Sequence, residues 1–143
     1  MKIGIASDHA AFKEKQDIIK FLKRKNKNVV DFGCHSEKSV DYPDYAHSLS
    51  KAILESDIDK GILICGTGIG VSIAANKNKG IRAALCTSVF HAEMARKHND
   101  ANIITFGART TEYKNICEMI EIFLVTKFEY GRHQKRVEKI END

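Results

Sequence analysis

Five short apolar runs of strand length, Lys2 to Ala6, Val29 to Phe32, Gly61 to Cys65, Ile81 to Cys86 and Asn102 to Phe106, recur along the chain, and each is followed by Gly, Ser, Thr or Asp. Between them the apolar period lengthens from that of a strand to that of a helix. Phe12, Ile19 and Leu22 share one helical face, as do Tyr45, Leu49, Ala52 and Ile53, and again Ile116, Met119, Ile120, Phe123 and Leu124. Uninterrupted apolar strands must be covered on both faces, and amphipathic helices between them supply the cover. The pattern predicts an α/β fold, a Rossmann-like three-layer α/β/α sandwich around a five-stranded parallel sheet, with ligands at the carboxyl ends of the strands.

Pro43, the only proline, suits the first turn of a helix that follows Asp41 and Tyr42. No repeat, low-complexity tract or linker interrupts the chain, so its 143 residues read as one domain, 1–143. The highly charged stretch from Lys127 to Asp143 carries Val137 and Ile140 at helical spacing. It is expected to dock as a helix on a surface that can belong to a partner subunit.

Charge and cysteine usage narrow the function classes. The 23 basic and 19 acidic residues leave a mild net charge of +4, spread along the chain, which does not suit a nucleic-acid binder but is compatible with a small anionic ligand. No apolar run approaches the roughly 20 residues of a membrane span, and MKIGIASDHA lacks the apolar core of an export signal. Cys34, Cys65, Cys86 and Cys117 are widely spaced, without a CxxC pair or a Cys/His cluster at metal-ligand spacing. A reducing cytoplasm and no bound metal are the expectation.

The stretch ILICGTGIG, Ile62 to Gly70, ends a strand in Cys65 and then breaks into alternating Gly66, Gly68 and Gly70. Successive amides of such a turn can converge on an oxyanion, and the following helix N-terminus favours negative charge, including a thiolate. Thr67 adds a hydroxyl. The spacing matches neither GxGxxG nor GxxxxGK[ST], so a nucleotide-binding module is the weaker reading. An inert buried thiol on a tight strand-to-helix turn is the plain alternative.

Other polar groups gather at the remaining segment ends. Ser7, Asp8 and His9 end the first strand, where they either face the same crevice as Cys65 or cap the next helix. His98 and Asn99 close the fourth helix in ARKHND; this is either solvated surface or a proton-exchanging site. In GRHQKR, Arg132 and Arg136 lie four apart beside His133, a spacing that can grip one phosphate, although an exposed charged tail looks the same. Arg109, in FGAR, can add a third cation. His35, His47 and His91 read as surface or packing residues.

Taken in order, SDHAAFKEK, DYPDYA, GILICGTGIGVSIAANKNKGIRAALC, HNDANIITFGAR and GRHQKRVEKI resemble the ribose-5-phosphate isomerase B family, within a wider sugar-phosphate isomerase group. The resemblance is collinear and nearly full length. It implies interconversion of ribose 5-phosphate and ribulose 5-phosphate through a cis-enediolate, without metal or organic cofactor, in a homodimer with shared active sites. Allose-6-phosphate or galactose-6-phosphate isomerisation, or noncatalytic phospho-sugar binding, are the alternatives.

By the same resemblance Cys65 is the base that moves the proton between C2 and C1, Thr67 assists between O1 and O2, and His98 opens the sugar ring. Amides from Gly66, Thr67, Gly68, Ile69 and Gly70 stabilise the enediolate oxygen. Asn99 holds the substrate, Asp8 and His9 contact sugar and phosphate, and Arg109, Arg132 and Arg136 bind phosphate. Tyr42 and His133 are further candidates for substrate contact. Ala11 stands where the first block usually has glycine, and Tyr130 where the last often does. Ile69 occupies the place of a carboxylate base found in some relatives, which supports the thiol version.

Overall fold

Alternation of side chains along the strands sorts the helices into two layers. A computed structural model describes residues 1–142, so Asp143, the end of the expected domain, lies outside the described residues. In chain order the elements are β1 (Lys2–Ser7), a 3₁₀ turn (His9–Ala11), α1 (Phe12–Arg24), β2 (Asn28–Asp31), α2 (Tyr42–Leu54), β3 (Lys60–Cys65) and α3 (Ile69–Asn76). Then follow β4 (Ala83–Leu85), α4 (Val89–Asn99), β5 (Ile103–Gly107), α5 (Tyr113–Val125) and α6 (Arg132–Glu141). The strands form one parallel sheet in the order β2-β1-β3-β5-β4. The expected three-layer α/β/α architecture is therefore present.

Ile3, Ile5, Ile62, Ile64, Ile104 and Phe106 point to one face and pack with the buried residues of α1, α4 and α5. Ala6, Leu63, Cys65 and Ile103 point to the other, against α2 and α3. All five apolar positions expected on α5 are buried. On α1 the buried stripe is Ile18, Ile19 and Leu22, joined by Lys15. The Lys15 side chain is wholly buried, and Nζ donates to Asp31 Oδ1 at 2.5 Å and to the Cys34 carbonyl at 2.7 Å. It ties the end of β2 to α1.

Two consequences of the topology position the site. β1 and β3 are neighbours, yet the chain leaves β1 toward the α1 layer and leaves β3 toward the α3 layer, so the two loops part and open a crevice at the carboxyl edge. α4 runs the other way. Its 11 residues, rising about 1.5 Å each, return the chain to the amino edge, about 15 Å from where the helix begins. α6 then packs on α4 of its own chain. His133 is its one buried residue among those described, whereas Ile140 is 60% exposed, so an imidazole, not the Val137 and Ile140 pair, supplies the main contact. No helix among the described residues is long and apolar enough to cross a membrane.

Candidate active site

At the carboxyl edge, β3 delivers Cys65, 5% exposed, into the turn that starts α3. The Gly68 amide donates to Cys65 Sγ at 3.1 Å, and the Ile69 amide donates to Thr67 Oγ1 at 3.2 Å. Two of the amides expected to cradle an oxyanion are thus directed at side chains of the turn itself. An amide aimed at sulfur complements negative charge there.

Gly68 adopts a left-handed φ of 78°, and a Cβ on it would lie 2.6 Å from the Phe106 backbone. The Thr105 hydroxyl, fully buried on β5, donates to the Gly68 carbonyl at 3.1 Å. Ala108 and Arg109 amides donate to the Cys65 and Gly66 carbonyls at 2.9 and 3.0 Å. The turn is therefore fixed from the β5 side on several points.

Candidate ligands surround this turn. The Arg109 guanidinium comes within 3.2 Å of where a Cβ on Gly66 would stand, and the Tyr42 ring within 2.6 Å of the same position on Gly70. Absence of side chains at Gly66 and Gly70 is what admits them. Asp8 caps the 3₁₀ turn, Oδ1 accepting from the Ala10 amide at 3.0 Å, so the capping role left open by the sequence is real. The Ser7 hydroxyl, fully buried, has no hydrogen-bond partner among the described residues. His9 Nδ1 accepts from the Val40 amide at 3.1 Å. Since an amide can only donate, the neutral ring carries its proton on Nε2, available to an incoming anion.

The amino edge holds the other candidates. His98 and Asn99 end α4, and the His98 ring stacks on that of His133, with centroids 4.2 Å apart and planes 12° from parallel. Glu129 Oε2 lies 3.6 Å from His133 Nε2 and 4.0 Å from His98 Nε2. Near-parallel stacked rings cannot aim both in-plane lone pairs at one point, so this trio as arranged is an electrostatic cluster and not a chelate. Burial, then the charges of His98, Arg132 and Arg136, hold the His133 pKa below the usual histidine value. Arg132 and Arg136 are exposed on α6 without a carboxylate partner among the described residues. Tyr130 takes a left-handed φ of 59° at the entry to this helix.

One chain thus brings together Asp8, His9, Tyr42, Cys65 to Gly70 and Arg109 at one edge. His98, Asn99, Arg132, His133 and Arg136 lie at the other. Glu129 was missed in the sequence, although its spacing of four from His133 on a charged segment was a signal. So was Lys15, which sits on an apolar stripe where a lysine is ordinarily solvent-facing. The thiols other than Cys65 suit packing: burial pushes Cys86 up to about 12 and also raises Cys117.

Comparison with known proteins agrees with the full-length pattern. The profile of the Ribose/Galactose Isomerase family matches residues 3–140. A putative sugar phosphate isomerase of Rickettsia bellii is 52% identical over 139 residues, covering 97% of this chain and 96% of that protein. Ribose-5-phosphate isomerase B of Escherichia coli is 42% identical, covering 97% and 93%. The solved structure of ribose-5-phosphate isomerase B from Clostridium thermocellum superposes with a TM-score of 0.97 at 48% identity, covering 99% of this chain and 95% of that one. With its profile match, its relatives and its fold in agreement over nearly the whole length, this chain belongs to the Ribose/Galactose Isomerase family.

Proposed function

We propose that the protein is an aldose–ketose isomerase acting on ribose 5-phosphate and ribulose 5-phosphate, with Cys65 as the base. The observation that carries this is a thiol at the carboxyl edge of β3, its sulfur facing the Gly68 amide at 3.1 Å, in a chain whose relatives include named ribose-5-phosphate isomerases B. Cys65, as thiolate, takes the proton from C2 of the open-chain aldose. The electron pair moves into the C1–C2 bond and onto O1, giving the enediolate. Return of that proton to C1 and transfer of the O2 proton toward O1, assisted by Thr67, leaves the ketose. No metal or organic cofactor enters this scheme.

The site is completed across two copies. Ring opening by His98 and phosphate capture by Arg132 and Arg136 must reach the same sugar as Cys65, and a pentose is far shorter than the distance along α4. A second copy that presents its amino edge to the carboxyl edge of the first resolves this, with Asn99 and His133 arriving on the same surface. Asp8, His9, Tyr42 and Arg109 contact the sugar and its phosphate from the Cys65 side. Exposed Ile69 and Ile73, four apart on α3, supply apolar area beside the turn for that contact. Phosphate binding remote from C2 holds the scarce linear sugar in register. A reducing compartment, the cytoplasm, is the setting this reading takes for the protein, and its four free thiols are compatible with it.

Purified protein mixed with ribose 5-phosphate is expected to form ribulose 5-phosphate, faster than it turns over allose or galactose 6-phosphate. No ribulose 5-phosphate sinks the pentose assignment. Absence of any ketose product from all three sugars, with binding retained, would leave binding without catalysis. A monomer by light scattering at the assay concentration overturns the shared site.

A further inference from the structure

A single guanidinium joins the ends of α4 and α6. Arg82, immediately before β4, donates from Nε to the carbonyls of Asn99 and Asp100 at 3.0 and 3.2 Å. From Nη2 it reaches the Asp100 carbonyl at 3.0 Å and Oδ2 at 3.3 Å. Nη1 donates to Glu141 Oε1 at 2.5 Å, while Glu141 Oε2 accepts from the Gly80 amide at 3.1 Å. The other carboxylate oxygen of Asp100 accepts from Arg96 Nη1 at 2.8 Å, and Arg96 Nε reaches the Thr126 carbonyl at 3.3 Å. Asp100 is thus shared by two arginines whose far contacts sit at opposite ends of the segment 126–141.

Satisfying the free carbonyls at the end of α4 accounts for the Asn99 and Asp100 contacts. It does not account for Glu141, which lies on a helix of 10 residues with one buried side chain, His133. So short a helix has little stability of its own and takes its position from what holds its ends. Its first turn is held by the His133 stack on His98 and its last by Arg82.

We infer that the Arg82–Glu141 pair is a positioning device that fixes the register of α6 on α4, so that Arg132 and Arg136 stand at a set distance from His98 and Asn99. This rests on the reading of Arg132 and Arg136 as phosphate ligands. Neither Arg82 nor Glu141 touches substrate in this scheme. Their effect passes through the helix, and preorganisation of the phosphate grip is what they supply.

The test compares Glu141→Gln, Glu141→Asp and Arg136→Ala in the full-length protein, with ribose 5-phosphate as substrate and inorganic phosphate as competing ligand. Glu141→Gln is expected to raise both KM and the phosphate inhibition constant about fivefold or more while kcat stays within about twofold. Amide exchange in 132–141 should accelerate, and Glu141→Asp, which keeps the charge, should bring KM most of the way back. If Arg136→Ala raises KM and Glu141→Gln changes neither KM nor exchange, the positioning role is overturned and the phosphate reading stands. If Arg136→Ala leaves KM and phosphate inhibition unchanged, both are overturned.

Discussion

The amide of Gly68 donates to the sulfur of Cys65 at 3.1 Å, and Gly68 can do so because it occupies a left-handed conformation, φ 78°, pressed against the backbone of Phe106. Geometry of the turn and chemistry of the thiol are therefore one property. Gly68→Ala adds a Cβ where the Phe106 backbone lies 2.6 Å away and imposes a left-handed alanine, itself worth about 1–2 kcal/mol. The turn must shift. A displacement on the order of 1 Å costs roughly 100-fold in rate, so kcat should fall by about that factor with a lower thermal midpoint. Steady-state kinetics alongside a melting curve checks both.

Cys65→Ala removes the proposed base but leaves Arg109, His9 and the α6 arginines in place. Isomerisation should drop by about 1,000-fold or more, while binding of ribose 5-phosphate by calorimetry stays within about threefold of the parent. Cys86→Ala is the control, because the Cys86 thiol is buried and pushed up to about 12. Retention of substantial turnover in Cys65→Ala would remove the thiol from the mechanism.

Legibility in the sequence followed how local each feature is. All five strands and their order with helices were readable, since the change from strand period to helix period is written in neighbouring residues. Strand ends were off by a residue or two: Ser7 and Gly107 join the sheet, while Ile81 and Cys86 are buried outside β4. Ladder pairing, not hydrophobicity, sets those ends. Cys65 and its glycines were readable because strand, turn and helix are contiguous. The separation of His98 from Cys65 was not, because it depends on α4 running back to the amino edge. Lys15 was invisible for a similar reason: its partners, Asp31 and the Cys34 carbonyl, arrive from another strand and loop.

Lys15→Met tests that buried anchor. It leaves the Asp31 carboxylate, 28% exposed, with only the Gly33 amide at 2.9 Å, and losing one partner of a buried pair costs on the order of 3 kcal/mol. The loop it holds runs on to Val40, whose amide fixes His9. Urea unfolding should show the loss of stability, and KM should rise with kcat less affected. Adding Asp31→Leu to Lys15→Met should recover much of the stability, since the stranded charge is then gone.

His133 makes the amino-edge surface sensitive to pH. Burial comes first among the causes that lower its pKa, followed by His98, Arg132 and Arg136, with Glu129 opposing them. A histidine depressed in the folded state binds a proton more readily when unfolded, so stability rises with pH across the interval between the folded and the ordinary value, about 6.5. Above that interval the contribution is fully present; as pH falls through the folded value it is lost, because the ring must charge between two arginines. Protection of α6 amides, corrected for intrinsic exchange, should therefore be lower at about pH 5 than at about pH 7.5. His133→Gln, which stays neutral, should flatten that difference even if it lowers protection overall. Equal pH dependence in parent and variant would show that another group controls the helix.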